Sequence, residues 1–122
     1  MERSIGYKVM RLFHGTDKES KDAILKEGFK PSECSDYGLA VYFSDNIETA
    51  KAYTFDNTVL EAFFDGFILD LQNPKHFEIY KKCNGNTALL NVDALKDNGI
   101  IAVFNINKIK KYEIYINRQQ PS

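Results

Sequence analysis

The chain has 122 residues and a formal net charge of −1, enough for a single domain with one real core and too short for two. That balance speaks against a generic nucleic-acid grip, which needs a basic excess on one face; the cluster of Lys108, Lys110 and Lys111 reads as a solvated turn. Nine Phe, seven Tyr and no Trp mean that the core is built largely from Phe and aliphatic side chains.

In chain order, Lys8 to Phe13 is a β-prone run with Val9, Leu12 and Phe13 apolar, and it delivers His14-Gly15-Thr16 at its end, where ligand-facing residues usually sit. Asp17 is placed to cap a helix whose face is Ala23, Ile24 and Leu25, with Gly28 as its stop. Between Gly28 and Gly38 the chain, with Pro31, Ser32, Ser35 and Asp36, reads as a loop long enough to form a lid. The stretch GLAVYFSDNIETAKAY, Gly38 to Tyr53, then packs a short strand around Val41-Tyr42-Phe43, a cap at Asp45 with Glu48 as its capping-box partner, and a helix from about Ile47.

Further on, Thr58 to Phe64 and Phe67 to Leu71 read as two strands joined by Asp65-Gly66 in a tight hairpin, with Asn73-Pro74 ending the second. Lys75 to Asn86 admits a short helix or strand around Phe77 to Tyr80 before a turn at Asn84-Gly85-Asn86. Leu89, Leu90, Val92 and Leu95 predict a helix from Thr87 to near Gly99. Ile100 to Phe104 and Lys111 to Asn117 read as strands linked by a turn around Asn105 to Lys108, and Arg118 to Ser122 as a flexible tail. About six strands and two or three short helices without βαβ alternation make an α+β domain spanning residues 1–122.

His14 beside Gly15 has two readings, a structural histidine at a strand end or a ligand contact. Gly15 favours the second, because a residue without Cβ lets a ligand approach the backbone N–H and C=O, and a carboxamide pairs with both groups at once. Tyr42 and Tyr53, taken singly, are ordinary core or rim aromatics; together, one ending a strand and one on the following helix, they flank room for a flat ring such as a nicotinamide. His76, after Asn-Pro in a polar stretch, reads as a surface residue. Cys34 and Cys83 lack the spacing of a zinc site or a disulfide framework and are expected as thiols in a reducing compartment. Nor is there a metal constellation, a Gly-rich phosphate loop or a nucleophile elbow. No apolar run approaches the ~20 residues of a membrane span, and MERSIGYKVM has no long apolar core, so a cytoplasmic protein is expected, with delivery to another cell left open.

LFHGT with EGFKPS after it, GLAVYFSD with NIETAKAY, and IIAVFNINKIKKYEI resemble, in that order, the ADP-ribosyltransferase superfamily, nearer its diphtheria-toxin and poly(ADP-ribose) polymerase branch. There the first block is a strand bearing His-Gly, the second a Gly-x-Gly-Ile-Tyr-Phe-Ala-Asp strand and a helix ending in Tyr, and the third a strand starting with Glu. The second block matches without a gap from Gly38 through Tyr53 and is the most specific of the three. The resemblance implies split antiparallel β-sheets with a few short helices, and NAD as co-substrate. His14 is similar to the family histidine that bonds a ribose hydroxyl, Gly15 to the residue whose backbone clamps the carboxamide, and Tyr42 and Tyr53 to the two ring-stacking tyrosines; Thr16, Phe43 and Ser44 follow as pocket candidates.

Two positions depart from the polymerase pattern. Ala50 stands where polymerase members have a serine that also bonds the carboxamide, and Ile100 stands at the start of the third-block strand in place of the catalytic glutamate, as in mono-ADP-ribosylating relatives with a His-Tyr-Ile pattern. His14, Tyr42 and Ile100 are therefore the catalytic positions by resemblance. Chain elongation is not expected. Single transfer remains, with the acid supplied by the substrate or by a neighbour such as Asp97 or Asp93, as does a catalytically inactive NAD-binding or protein-interaction module. The expected activity is transfer of ADP-ribose from NAD to a macromolecular acceptor, a protein first and a nucleic acid not excluded. A third reading, an NAD-dependent RNA 2′-phosphotransferase, calls for a basic RNA grip that the net charge does not supply.

Overall fold

A computed structural model describes residues 6–34, 37–54 and 56–115, with only the backbone of Glu33 and Cys34. Expectations for the tail 118–122, for Ile116 and Asn117, and for the Cys34 thiol lie outside the described residues. The chain is mixed α+β: β1 (Gly6–Thr16), α1 (Lys18–Glu27), β2 (Ser32–Cys34), β3 (Gly38–Ser44), α2 (Ile47–Ala52), β4 (Thr58–Asp70), α3 (Pro74–Lys82), β5 (Ala94–Asp97), β6 (Ile100–Val103) and β7 (Ile109–Ile114), with 3₁₀ turns at Thr87–Leu90 and Ile106–Lys108. Among the described residues, no helix is long and apolar enough to cross a membrane.

Five strands close into a barrel-like circuit, β1–β3–β6–β5–β4 and back to β1, with β2 added at the free edge of β3 and β7 beside β4. Most pairings are antiparallel; β4 and β5 are parallel, with Ile68, Leu69 and Asp70 opposite Ala94, Leu95 and Lys96, which makes the sheet mixed. The long β1–β4 ladder runs from Gly6↔Ile68 to Thr16↔Thr58. By contrast, β1 meets β3 at the single pair Phe13↔Ser44. Beyond that pair the two strands part, and the end of β1 carrying His14, Gly15 and Thr16 diverges from β3.

Strict alternation in β4 explains the core. Leu60, Ala62, Phe64 and Ile68 are buried while Glu61, Phe63, Asp65 and Phe67 are half-buried, the period-2 pattern of a strand with one face inward. With Leu12, Phe29, Val41, Phe43, Ile101 and Val103 they fill the main core. A second cluster of Leu69, Cys83, Leu90 and Leu95 packs α3 and the first 3₁₀ turn against the sheet, Cys83 as a buried free thiol.

Several elements differ from the sequence expectation. Asp65-Gly66 makes no hairpin; β4 runs straight through it. Asp93 Oδ2 accepts a hydrogen bond from the Phe67 amide at 2.8 Å, and a Cβ on Gly66 would sit 2.7 Å from that oxygen. The glycine marks a close approach within a strand. The helix expected from Thr87 to Gly99 is a 3₁₀ turn ended by left-handed Asn91, followed by β5. Asn98 and Gly99, with φ of 50° and 88°, form the two-residue turn between β5 and β6, the positive-φ pair that matches the twist of a hairpin.

The helix cap after β3 is Asn46, whose Oδ1 accepts from the Glu48 amide at 2.7 Å, one residue later than Asp45. Asp17 caps α1 through the Ser20 amide at 2.7 Å, and Gly28 ends it at φ 89°. Of the face Ala23, Ile24, Leu25, only Ile24 packs on the core; the other two are exposed. The Gly28–Gly38 segment is not wholly loop, because β2 pairs with β3 from Ser32↔Ala40 to Cys34↔Gly38; Ser35 and Asp36 lie outside the described residues. Phe77 to Tyr80 belongs to helix α3, with Asn73 as its cap and Pro74 in its first turn. His76 is buried, not on the surface: its Nδ1 accepts from the Asp70 amide at 2.9 Å, tying α3 to the end of β4.

Candidate functional site

Where β1 and β3 part, a cavity of about 330 Å³ opens, at the low end of the roughly 300–1,000 Å³ of small-molecule sites. His14 and Gly15 come from β1, Tyr42, Phe43 and Ser44 from β3, Ala50 and Tyr53 from α2 and its end, and Ile100 from β6; Phe13 and Tyr37 complete the lining. Of the catalytic and cofactor-binding positions that the resemblance implies, all are thus brought to one place except Thr16, which pairs with Thr58 and does not line the cavity.

Each position has a local cause. Gly15 lies against the last turn of α2: a Cβ there would meet the Ala50 carbonyl oxygen at 2.0 Å. The sequence reading assigned the missing Cβ to a ligand; the fold demands it as well, since only glycine lets α2 pack this closely on β1. Tyr53 is the C-terminal cap residue of α2 and is 70% exposed, so its ring stands at the rim. Ser44 is buried and its Oγ accepts from the Asn46 amide at 3.1 Å, which turns the chain from β3 into α2. The Tyr42 hydroxyl donates to the Gly38 carbonyl at 2.9 Å.

His14 Nδ1 lies 2.8 Å from the Tyr42 carbonyl oxygen. A carbonyl only accepts, so this nitrogen carries the proton and, in the neutral ring, Nε2 is left as an acceptor. Burial lowers the His14 pKa below its ordinary 6.5, and the carbonyl bond opposes that shift only in part. Phe29 and Phe43 pack edge-on against the ring at 5.3 and 5.5 Å between centroids. The arrangement therefore holds a neutral imidazole, one tautomer, at the junction of β1 and β3. A second cavity of about 370 Å³, under α1 and Phe29, is also lined by His14 and Tyr42, so these two residues stand between adjoining spaces.

No Asp or Glu lines the first cavity among the described residues. Of the two acids named from the sequence, Asp93 is committed elsewhere, accepting from the Phe67 amide at 2.8 Å and from Asn105 Nδ2 at 3.1 Å. Asp97 is close to the cavity wall: it accepts a hydrogen bond from the hydroxyl of Tyr37. Tyr37 was not foreseen as a lining residue. It precedes β3 in a stretch read as loop, and what brings it to the wall is contact with Tyr80 of α3 and a 2.9 Å bond from Thr87 Oγ1 to its carbonyl, neither of which has a local sequence signal. Neither a family model nor a curated protein matches this chain.

Proposed function

We propose that this protein is a mono-ADP-ribosyltransferase that binds NAD at the junction of β1 and β3 and moves ADP-ribose to a macromolecular acceptor. The observation that carries the reading is the convergence of His14, Gly15, Tyr42, Tyr53 and Ile100, from four separate elements, on one cavity. The parting of β1 from β3 after a single pair also suits the split antiparallel sheets of the superfamily that the sequence resembles. Nicotinamide fits between the exposed ring of Tyr53 and the Tyr42 side, with its carboxamide at the Gly15 backbone; His14 Nε2 accepts from a ribose hydroxyl. The adjoining cavity under α1 takes the rest of the dinucleotide.

Departure of nicotinamide leaves positive character on the ribose C1′, and holding the dinucleotide in a fixed, compressed pose lowers that barrier. Ile100 offers no charge to the developing cation, so elongation of a chain is not part of the proposal. A single lost electrostatic group of this kind costs roughly 10²–10³ in rate, which slows transfer without abolishing it. The apolar Ile100 and the absence of a lining carboxylate among the described residues favour, as a second reading, an inactive NAD-binding module. Incubating the protein with labelled NAD and candidate lysates separates the two: transfer of label with nicotinamide release supports the transferase, NAD binding without either leaves the module, and no NAD binding removes both.

A further inference from the structure

The carboxylate missing at Ile100 has a counterpart one strand away. Phe13, Ser44, Ile100 and Asp97 are successive cross-strand partners, Phe13↔Ser44, Ser44↔Ile100 and Ile100↔Asp97. Direct partners in antiparallel pairs point to the same face, with Cβ atoms roughly 4.5–5.5 Å apart. The first three line the cavity; the fourth brings a carboxylate to the same face, next to Ile100. Asp97 accepts from the Tyr37 hydroxyl, which belongs to a lining residue, and its other oxygen receives Gln72 Nε2 at 3.4 Å. The two-residue turn at Asn98-Gly99 fixes this register.

We propose that Asp97, acting through the Tyr37 phenol, accepts the proton of the incoming nucleophile, and that the acceptor is therefore a hydroxyl group and not a carboxylate. The inference rests on the NAD-dependent transferase reading above. The acceptor oxygen attacks C1′ of the ribose; the bond from C1′ to the nicotinamide nitrogen breaks, and its electron pair neutralises the pyridinium. The hydroxyl proton passes to the Tyr37 oxygen as the phenol's own proton moves onto Asp97. A carboxylate acceptor has no proton to lose and gains nothing from such a relay, whereas a hydroxyl needs it. Tyr37 is the group at the cavity and Asp97 a positioning residue and proton sink behind it.

The test uses the full chain with NAD and, separately, methanol or azide as acceptor, measuring the ADP-ribosyl product and NAD affinity. Azide carries no proton, so it bypasses the relay. Asp97→Asn keeps an oxygen to accept from Tyr37 but cannot take a proton, and Tyr37→Phe keeps the ring and removes only the phenol oxygen. Each is expected to lower transfer to methanol about 10²-fold or more beyond any loss of transfer to azide, with the NAD affinity of each variant measured alongside. Tyr37→Phe decides the matter if Asp97→Asn does not fold. Equal losses with both acceptors, or no loss with either, overturn the relay while leaving the transferase reading intact. A wild-type protein that uses azide and not methanol does the same. A wild-type protein that labels the lysates but transfers to neither small acceptor overturns the relay alone, and one that labels nothing overturns both.

Discussion

A Cβ atom on Gly15 would lie 2.0 Å from the carbonyl oxygen of Ala50. The last turn of α2 is therefore seated directly on the end of β1, over a small apolar cluster of Phe13, Ala50 and Val59. Gly15→Ala forces strand and helix apart, and an overpacked contact of this kind costs about 1–3 kcal/mol. Chemical denaturation should show that loss, and, on the function proposed above, calorimetric titration should show weaker NAD binding, because Tyr53 at the end of α2 moves with the helix.

His14→Ala removes the proposed ribose acceptor and is expected to weaken NAD binding by about tenfold, the worth of one hydrogen bond near 1.4 kcal/mol. Calorimetric titration with NAD measures it. Melting temperature falls too, since the Tyr42 carbonyl loses its donor and the ring leaves a gap beside Phe29 and Phe43. A purely ligand-facing histidine would have left stability unchanged.

The lowered His14 pKa has a definite sign in stability. Above the unfolded value of about 6.5 both states hold a neutral ring and its buried contacts contribute fully. As pH falls from there toward the lower folded pKa, the unfolded chain binds a proton that the folded chain does not, and stability drops until the folded pKa is passed. Denaturant titrations at a series of pH values should show this decline, reduced in His14→Gln, which still offers a donor toward Tyr42.

Asp93 should act on stability alone. Asp93→Ala leaves the Phe67 amide and the Asn105 side chain without their partner, a cost of about 1–3 kcal/mol, with NAD affinity unchanged. Unfolding curves and NAD titrations on the same sample check both halves. A loss of affinity without a loss of stability would contradict the structural role given to Asp93.

Gly99 sits at φ 88°, and a Cβ there would lie 3.3 Å from Asp45 Oδ1. Gly99→Ala is expected to cost about 1–2 kcal/mol from the left-handed backbone alone. Because this turn sets Asp97 opposite Ile100, transfer activity should fall by more than the stability loss explains. Melting curves and product assays on one preparation compare the two.

Much of the candidate site was legible because its residues carry local signatures. His14-Gly15 ends a β-prone run, and Gly38 to Tyr53 reads as strand, cap and helix, displaced only by the one-residue shift from Asp45 to Asn46. The errors fall where one local signal serves two structures. Asp65-Gly66 is a turn dipeptide in isolation, yet Asp93, distant in sequence, needs that glycine as a place to approach the strand. Leu89, Leu90, Val92 and Leu95 match a helical period, yet left-handed Asn91 ends the 3₁₀ turn and the positive-φ pair Asn98-Gly99 makes the last of them part of a hairpin strand.

The sequence by itself determined the mixed α+β class, the caps of α1 and the presence of the first strands, because these follow from neighbouring residues through backbone sterics and short-range hydrogen bonds. Only the tertiary structure decided that β1 and β3 part after Phe13↔Ser44, that Tyr37 reaches the cavity wall, and that Asp97 stands beside Ile100. Those relations depend on register between strands far apart in the chain. Register is set by how side chains share a core, and no single stretch of sequence contains it.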